Sequence, residues 1–402
     1  MKYISIMIIL IFITQSCNIY RRGSVLWEKK NYFHDSKITL YDINEDKEMD
    51  LIIGGYIKGD KKDKDQEISG DCVVALNGKN QEIMWGFQCR DGIINSYPAI
   101  AYKKVYIGCT DNKVYALDID TGKIKWIFKT NGEIYSSSPA IYDYKVFIGS
   151  RDHNLYALSS KDGHLIWYYN TKGPIDSSPL IYRERVYIGS MDGNMYCLEV
   201  NTGSLLWKYE TKSFISKVSP VASNGKIYFA GWDKNLYALN AETGRIKWKF
   251  TANSIFEESS PVVIDDTVYI GCNDGFLYAL DDKTGKLKWE FDTKSAIYST
   301  PAVTDNCIYF GTRTGYFYSL DLYGNLLWKK NIIFPIHSSP AIVKNKIYIG
   351  NKGNYLYAFG DSTMGEIQWG MYGGDERHRK NEIMARNKGK ELSKVTKWYN
   401  FL

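Results

Sequence analysis

Residues 277–289, LYALDDKTGKLKW, decide the fold, because the chain writes the same phrase repeatedly. VYALDIDTGKIKW ends at Trp126, LYALSSKDGHLIW at Trp167, MYCLEVNTGSLLW at Trp207 and LYALNAETGRIKW at Trp248. The tryptophans of this series stand at 27, 85, 126, 167, 207, 248, 289, 328 and 369. From Trp85 onward they are 39 to 41 residues apart; only the first interval is longer, stretched by the charged segment KGDKKDKDQEISG at 58–70. Self-similarity at one fixed period overrides length as a guide to organisation, so the 402 residues read as one array.

Inside each unit the apolar period is two. KVFIGSRDHNLYAL alternates or runs briefly apolar, then breaks at Gly, Asp or Asn, the pattern of short strands and tight turns. Four strands per unit follow, around SSPAI, VYIGS, NLYAL and KIKWIF. In the Asp-x-x-Thr-Gly between the last two, Asp accepts from the backbone that follows it, and Gly takes the left-handed conformation that closes the hairpin. The Pro of each Ser-Pro belongs at a strand end, where the ladder loses no donor. Such units predict an all-β chain folded as an eight-bladed β-propeller of four-stranded antiparallel blades over residues 24–372.

A large flat side chain at one fixed place per blade fills the wedge between neighbouring sheets. Trp85, Trp126, Trp167, Trp207, Trp248, Trp289, Trp328 and Trp369 are therefore the expected blade-docking residues. The ninth, Trp27, needs its own place. SVLWEKK at 24–30 supplies a strand before the first complete unit, and EIQWGMY at 366–372 closes the last. Closure by strands from both ends removes open sheet edges. Trp27 then lies either in the outermost strand of the last blade or in an extra strand beside it.

The ends carry other information. Lys2 and an apolar run from Ile4 to Ile13 mark residues 1–16 as a signal peptide, the run being too short to span a bilayer. Ser16 before the lone Cys17 resembles a bacterial lipobox, with Thr14 where Leu is usual. That resemblance implies lipidation of Cys17, a tether over 17–23, and anchoring to the bacterial cell envelope at the outer membrane, facing the periplasm. Ordinary signal-peptide cleavage is the other reading. Residues 377–402 hold eight Lys or Arg and two Glu, which accounts for the whole net charge of +6. The chain before residue 377 therefore sums to zero, and a neutral body is poor evidence for nucleic-acid binding, so no nucleic-acid partner is expected; the basic tail is taken as 373–402. The remaining Cys (72, 89, 109, 197, 272, 307) show no metal-ligand spacing. Cys72 and Cys89 fall in neighbouring strands and are candidates to pair.

Two places are candidates for binding. DINEDKEMD puts Asp42, Asn44, Asp46 and Asp50 at positions 1, 3, 5 and 9 of a loop, a spacing that turns several oxygens inward for calcium. Lys47 stands where that turn favours Gly, and a plain acidic turn is the alternative to a structural calcium site. The residues just before each Ser-Pro, namely Asn95, Tyr135, Asp176, Lys217, Glu257 with Glu258, Tyr298 and His337, mark the mouth of the central channel. They form a candidate rim for a partner or ligand; a hydrated rim with no ligand is the alternative.

The repeated phrase resembles the pyrroloquinoline-quinone-like (PQQ-like) repeat family, A-x-D-x-x-T-G-x-x-x-W. Ala279, Asp281, Thr284, Gly285 and Trp289 match it in full, as do Ala116, Asp118, Thr121, Gly122 and Trp126. Ser159 and Asp162 replace the Asp and Thr of one unit, and Cys197 the Ala of another. QWGMYGGDERHRKN is similar to the W-x-M-x-x-x-D-x-x-H signature near the ends of such propellers, and DINEDKEMD before DLIIGG resembles the calcium loops of FG-GAP-type propellers. The family resemblance spans about residues 24–380 and implies either of two functions, between which the fold does not choose. One is a quinoprotein dehydrogenase using PQQ and calcium; the other is a non-enzymatic lipoprotein of outer-membrane barrel assembly. The dehydrogenases carry adjacent cysteines and long roofing inserts, and this chain has neither. Its five His fall in no metal or triad spacing. PQQ and catalysis are accordingly disfavoured. The expectation is a monomeric scaffold for envelope proteins, a barrel-assembly machine among them. A polysaccharide- or peptide-binding propeller is the alternative, and the dehydrogenase the second alternative.

Overall fold

The computed structural model describes residues 22–30, 34–57, 70–89, 92, 95–363 and 367–369. The signal segment, Cys17, most of the charged insert and the tail lie outside them. Eight sheets follow one another in chain order. Blade 1 runs from His34 to Gln88, and blades 2 to 7 run from Ala99 to Lys129, Ala140 to Asn170, Leu180 to Glu210, Val221 to Thr251, Val262 to Asp292 and Ala302 to Asn331. Blade 8 takes three strands from Ala341–Gly360 and its fourth from Ser24–Lys30 at the other end of the chain. The fold is an eight-bladed all-β propeller.

Blades 2 to 8 repeat one register. The second-strand aromatic, the third-strand small residue and the outer-strand Trp stand in line, as in Tyr106↔Ala116↔Trp126 and Tyr228↔Ala238↔Trp248; blade 1 keeps the line with Ile52 in the aromatic's place, Ile52↔Ala75↔Trp85. The small residue lets the indole lie across to the aromatic, at 5.8 Å between centroids for Tyr106–Trp126 and 5.9 Å for Tyr228–Trp248. This is why the phrase reads Tyr-Ala-Leu, and why only Cys197 and Ser319 replace the Ala opposite a Trp. A bulge follows in the same place, between Ala and Leu of the third strand, and adds local twist.

The indole then docks on the next blade. The ring N–H of Trp85, Trp126, Trp167, Trp207, Trp248 and Trp289 donates to the carbonyl of Ile119, Ser160, Val200, Ala241, Asp282 and Leu322, at 2.7–3.2 Å. The ring face meets the turn glycine of that next blade. A Cβ on Gly285, at φ +71°, would lie 2.6 Å from Trp248, and one on Gly122, at φ +66°, 2.5 Å from Trp85. The glycine is thus required twice, for its left-handed backbone and for the indole lying on it. Asp and Thr set the turn: Thr284 donates to Asp281 Oδ1 through its amide at 2.8 Å and its hydroxyl at 2.7 Å.

Closure settles the place of Trp27. Its strand pairs antiparallel with Tyr355–Gly360, with Trp27 opposite Ala358 and its ring 5.9 Å from Tyr348. It therefore occupies the outer strand of blade 8. Trp369, expected in that role from its spacing, does not hold it: its strand, Ile367–Trp369, pairs with the first strand of blade 7, Ala302–Thr304, as a fifth member. The spacing misled because the eighth outer position is filled from the other end of the chain. Gly23, at φ +60°, does for Trp328 what the turn glycines do elsewhere, its would-be Cβ falling 2.7 Å from the ring. The Trp328 N–H donates to the Asp361 carboxylate at 2.8 Å in place of a turn carbonyl.

Replacing Trp248 by Ala is expected to lower the unfolding free energy by about 3–5 kcal/mol. Trp248→Phe, which forfeits the bond to Asp282, is expected to cost about 1–3 kcal/mol. Urea titrations followed by far-ultraviolet circular dichroism measure both.

Candidate binding site at the channel mouth

The site rests on the tripeptides that end in Pro. The first residue of the pair before each Pro serves its own blade: Ser96, Ser137, Ser177, Ser259 and Ser338 bond the backbone of Gly108, Gly149, Gly189, Gly271 and Gly350 at 2.6–3.2 Å. Blade 5 departs on both sides, with Val218 for the Ser and Ala230 for the Gly. The second residue serves the next blade. The amides of Tyr97, Ser138, Ser178, Ser219, Ser260 and Thr300 donate in turn to the hydroxyls of Ser138, Ser178, Ser219, Ser260, Thr300 and Ser339, at 2.9–3.1 Å. The Ser339 amide closes the circuit on the Tyr97 hydroxyl at 3.2 Å. Tyr97 reaches past blade 1, which has no Ser-Pro and is tied in through Thr39 Oγ1 and the Pro98 carbonyl at 2.7 Å.

Above this ring lies a cavity of about 140 Å³, whose lining includes Lys37, Asn95, Tyr97, Tyr135, Lys217, Glu258, Tyr298, His337 and Lys352. Of the rim residues expected from sequence, Asn95, Tyr135, Lys217, Glu258, Tyr298 and His337 meet there. Asp176 and Glu257 do not. Asp176 is buried in a two-pronged pair with Arg151 at 2.9 and 3.0 Å, and Glu257 accepts from Asn273 at 3.0 Å. Lys37, Tyr97 and Lys352 were missed, because none stands directly before a Ser-Pro. The Ser or Thr recurring just before Pro139, Pro179, Pro220, Pro261, Pro301 and Pro340 was the available signal for the ring, with Tyr97 before Pro98 as its exception.

Glu258 is the hub. Lys217 Nζ donates to its Oε1 at 2.6 Å, and His337 Nδ1 lies 3.1 Å from its Oε2, reaching back from blade 8 past blade 7. Burial pushes the Glu258 carboxyl up, but the His337 hydrogen bond and the charges of Lys217 and Lys37 outweigh it and hold the group far below the ordinary carboxylate range. For Lys217, burial works against the charge, and Glu258 more than restores it. Tyr135 carries Arg151 on its face at 3.7 Å and Lys217 at 5.7 Å, and Tyr298 packs on the His337 ring at 4.5 Å.

The acidic loop of blade 1 is built differently from an ion cage. Asp50 is fully buried and accepts the amides of Ile43 and Gly78, both at 2.9 Å. Asp42 accepts from Asp46 and Lys47, at 3.1 and 2.9 Å, while Asn44 and Asp46 accept from Asp46 and Glu48, at 3.2 and 2.8 Å. Lys47 takes φ +67° where Gly was expected. Both oxygens of Asp50 are turned to the backbone that joins this loop to the hairpin at Gly78, and no three acidic, His or Cys side chains among the described residues converge on one point. The residues present do not fit the calcium reading. Of the two cysteines expected as candidates to pair, Cys89 is buried and Cys72 stands opposite Gln88 in register, the side chain of Cys72 lying outside the described residues.

A family model described as outer membrane protein assembly factor BamB matches residues 68–180 and 172–371. Among solved structures, BamB from Moraxella catarrhalis superposes with a TM-score of 0.68 at 19% identity, over 84% of this chain and 100% of that one. The computationally designed Ika8 protein gives 0.68 at 16% identity, over 83% and 98%. No curated protein matches the chain.

Two outcomes follow. Because the folded Glu258 carboxyl ionises below its unfolded value near 4.5, its contribution is present above that pH and fades as the pH falls below it. Stability measured against pH should therefore decline more steeply on the acid side in the parent than in Glu258→Gln. Millimolar calcium should leave the melting temperature unchanged, whereas Asp50→Ala, which strips two buried amides of their acceptor, should cost about 3 kcal/mol in urea unfolding.

Proposed function

Because the chain belongs to the family described as outer membrane protein assembly factor BamB, we propose that it is a non-enzymatic scaffold of the cell envelope acting in outer-membrane β-barrel assembly. The observation that carries the non-enzymatic reading is the channel mouth. At about 140 Å³ it is well below the 300–1,000 Å³ of ordinary small-molecule pockets, and Glu258, Lys217 and His337 in it are bonded to one another. A body closed on itself through eight blades offers partners its loops and faces, not strand edges at the ring seam.

The proposal includes a lipid on Cys17 and an outer-membrane, periplasm-facing location. Gly23, where the chain enters the ring, comes six residues after Cys17, a span of at most about 20 Å. The outer strand that begins there starts on the face carrying the Asp-x-x-Thr-Gly turns. A lipid would hold that face to the membrane and leave the channel mouth, on the other face, turned away from it.

Crosslinking in intact envelopes, followed by identification of the captured proteins, tests this reading. Recovery of barrel-assembly components, lost when Cys17→Ala removes the anchor, is the expected result. Recovery of none of them, or dye-linked oxidation of alcohols or sugars by the chain loaded with PQQ and calcium, would overturn it.

A further inference from the structure

We propose that the chain threads its own C-terminus up the central channel. The residues after Trp369 rise to the channel mouth, residues 372–374 occupy its cavity, and the basic tail leaves on that face. The inference goes beyond the scaffold reading and does not depend on it.

The place of one short strand carries it. From blade 2 through blade 7, the backbones of neighbouring blades touch at their first strands, which therefore stand around the axis. Ile367–Trp369 pairs with the first strand of blade 7, Ala302–Thr304, on the edge that the second strand, Cys307–Gly311, leaves open. That edge faces the axis. The short strand also touches Val262–Ile264, the first strand of blade 6. It lies inside the channel, not on the perimeter.

Direction follows from register. Thr363 sits on the face of the Asp-x-x-Thr-Gly turns, where its carbonyl accepts from Asn306 Nδ2 at 3.1 Å. Ile367 stands opposite Thr304, the end of the blade 7 strand at that same face, and Trp369 opposite Val303. The pairing is antiparallel, and blade 7 descends from Thr300, in the cavity lining, to Thr304. The C-terminal chain therefore runs from the turn face toward the mouth. Thr300 stands three positions before Val303, so three residues beyond Trp369, about 10 Å of extended chain, draw level with the cavity. The residue that arrives there is Tyr372, followed by Gly373 and Gly374.

The residues along this path suit it. Pro301 has no N–H to donate, so the ladder on blade 7 ends just below the mouth and releases the chain to the axis. No Pro occurs from Gly370 to Leu402 to interrupt an extended segment. A cavity of about 140 Å³ takes only a slender stretch, and two consecutive glycines bring no side chains to exclude them. Tyr372 would bring an aromatic ring to walls that carry Tyr135 and Tyr298. The eight Lys or Arg and two Glu of 377–402 then emerge on the mouth face, opposite the face where the chain enters the ring at Gly23.

The test places the photocrosslinker p-benzoylphenylalanine at position 372 of the full chain and, in a second variant, at position 323, where Tyr323 is exposed on the turn face. After irradiation the coupled peptides are mapped by mass spectrometry. The probe at 372 is expected to couple within its own chain to peptides carrying Tyr135, Tyr298 or His337, and the probe at 323 to none of them. Coupling of the 372 probe to turn-face peptides instead, to other molecules only, or to nothing would overturn the inference. A chain ending at Trp369 gives a second reading: nitration of Tyr298 by tetranitromethane should quicken several-fold relative to Tyr323, and an unchanged ratio would also overturn it. Circular dichroism confirms that each chain is folded, and if the shortened one is not, the crosslinks decide. Envelope partners captured by a chain that lacks these internal crosslinks would sink this inference and leave the scaffold standing.

Discussion

Everything in this molecule depends on one contact, the face of an indole laid on a glycine of the following blade. The contact has a steric and a polar part. Sterically, no side chain fits between ring and turn, so the turn must be glycine with a left-handed backbone. The indole N–H meanwhile finds a carbonyl in that same blade, which satisfies a donor that burial would otherwise orphan. The contact recurs at seven of the eight junctions and fixes the angle between those sheets; where blade 8 meets blade 1, Gly78 lies instead against the Met49 carbonyl.

A second circuit works at the inner edge. There the bonds are small, amide to hydroxyl, and are made by residues that a composition count would file as turn-formers. Their value lies in continuity: each blade's inner strand is held in step with the next, and Tyr97 spans the one blade that lacks the motif. The outer circuit locks angle and the inner one locks height. Between them the channel mouth becomes a rigid cup, and its charged groups are placed by the ring itself, not by mobile loops.

The sequence disclosed the fold more fully than the site, for a physical reason. Trp and the turn Gly recur at one spacing because packing demands them at successive blade junctions, with Asp and Thr setting the turn in some units and replaced in others, and the repetition makes the demand legible. Closure is not repeated, so spacing alone gave Trp369 the role that Trp27 plays; what distinguishes them is a strand pairing between chain ends. The acidic loop shows the same limit. Oxygens at alternate positions suit calcium or an Asx turn equally, and only the bonds of Asp50 to Ile43 and Gly78 show which use is made of them. At the channel mouth, the residues before each Ser-Pro were legible as a rim. Lys37 and Lys352 were not, because they come from a blade without the motif and from a different turn.

Such a body suits the proposed scaffold: rigid and closed on itself through eight blades, with a small charged cup at the channel mouth. Its rigidity is the central claim, and hydrogen exchange of the indole N–H groups in tryptophan-labelled protein tests it most directly. The ring protons of Trp85, Trp126, Trp167, Trp207, Trp248, Trp289 and Trp328 should all exchange only through opening of the whole ring, with protection close to the global unfolding free energy. Exchange of these protons within minutes, at rates near those of an unprotected indole, would contradict the account.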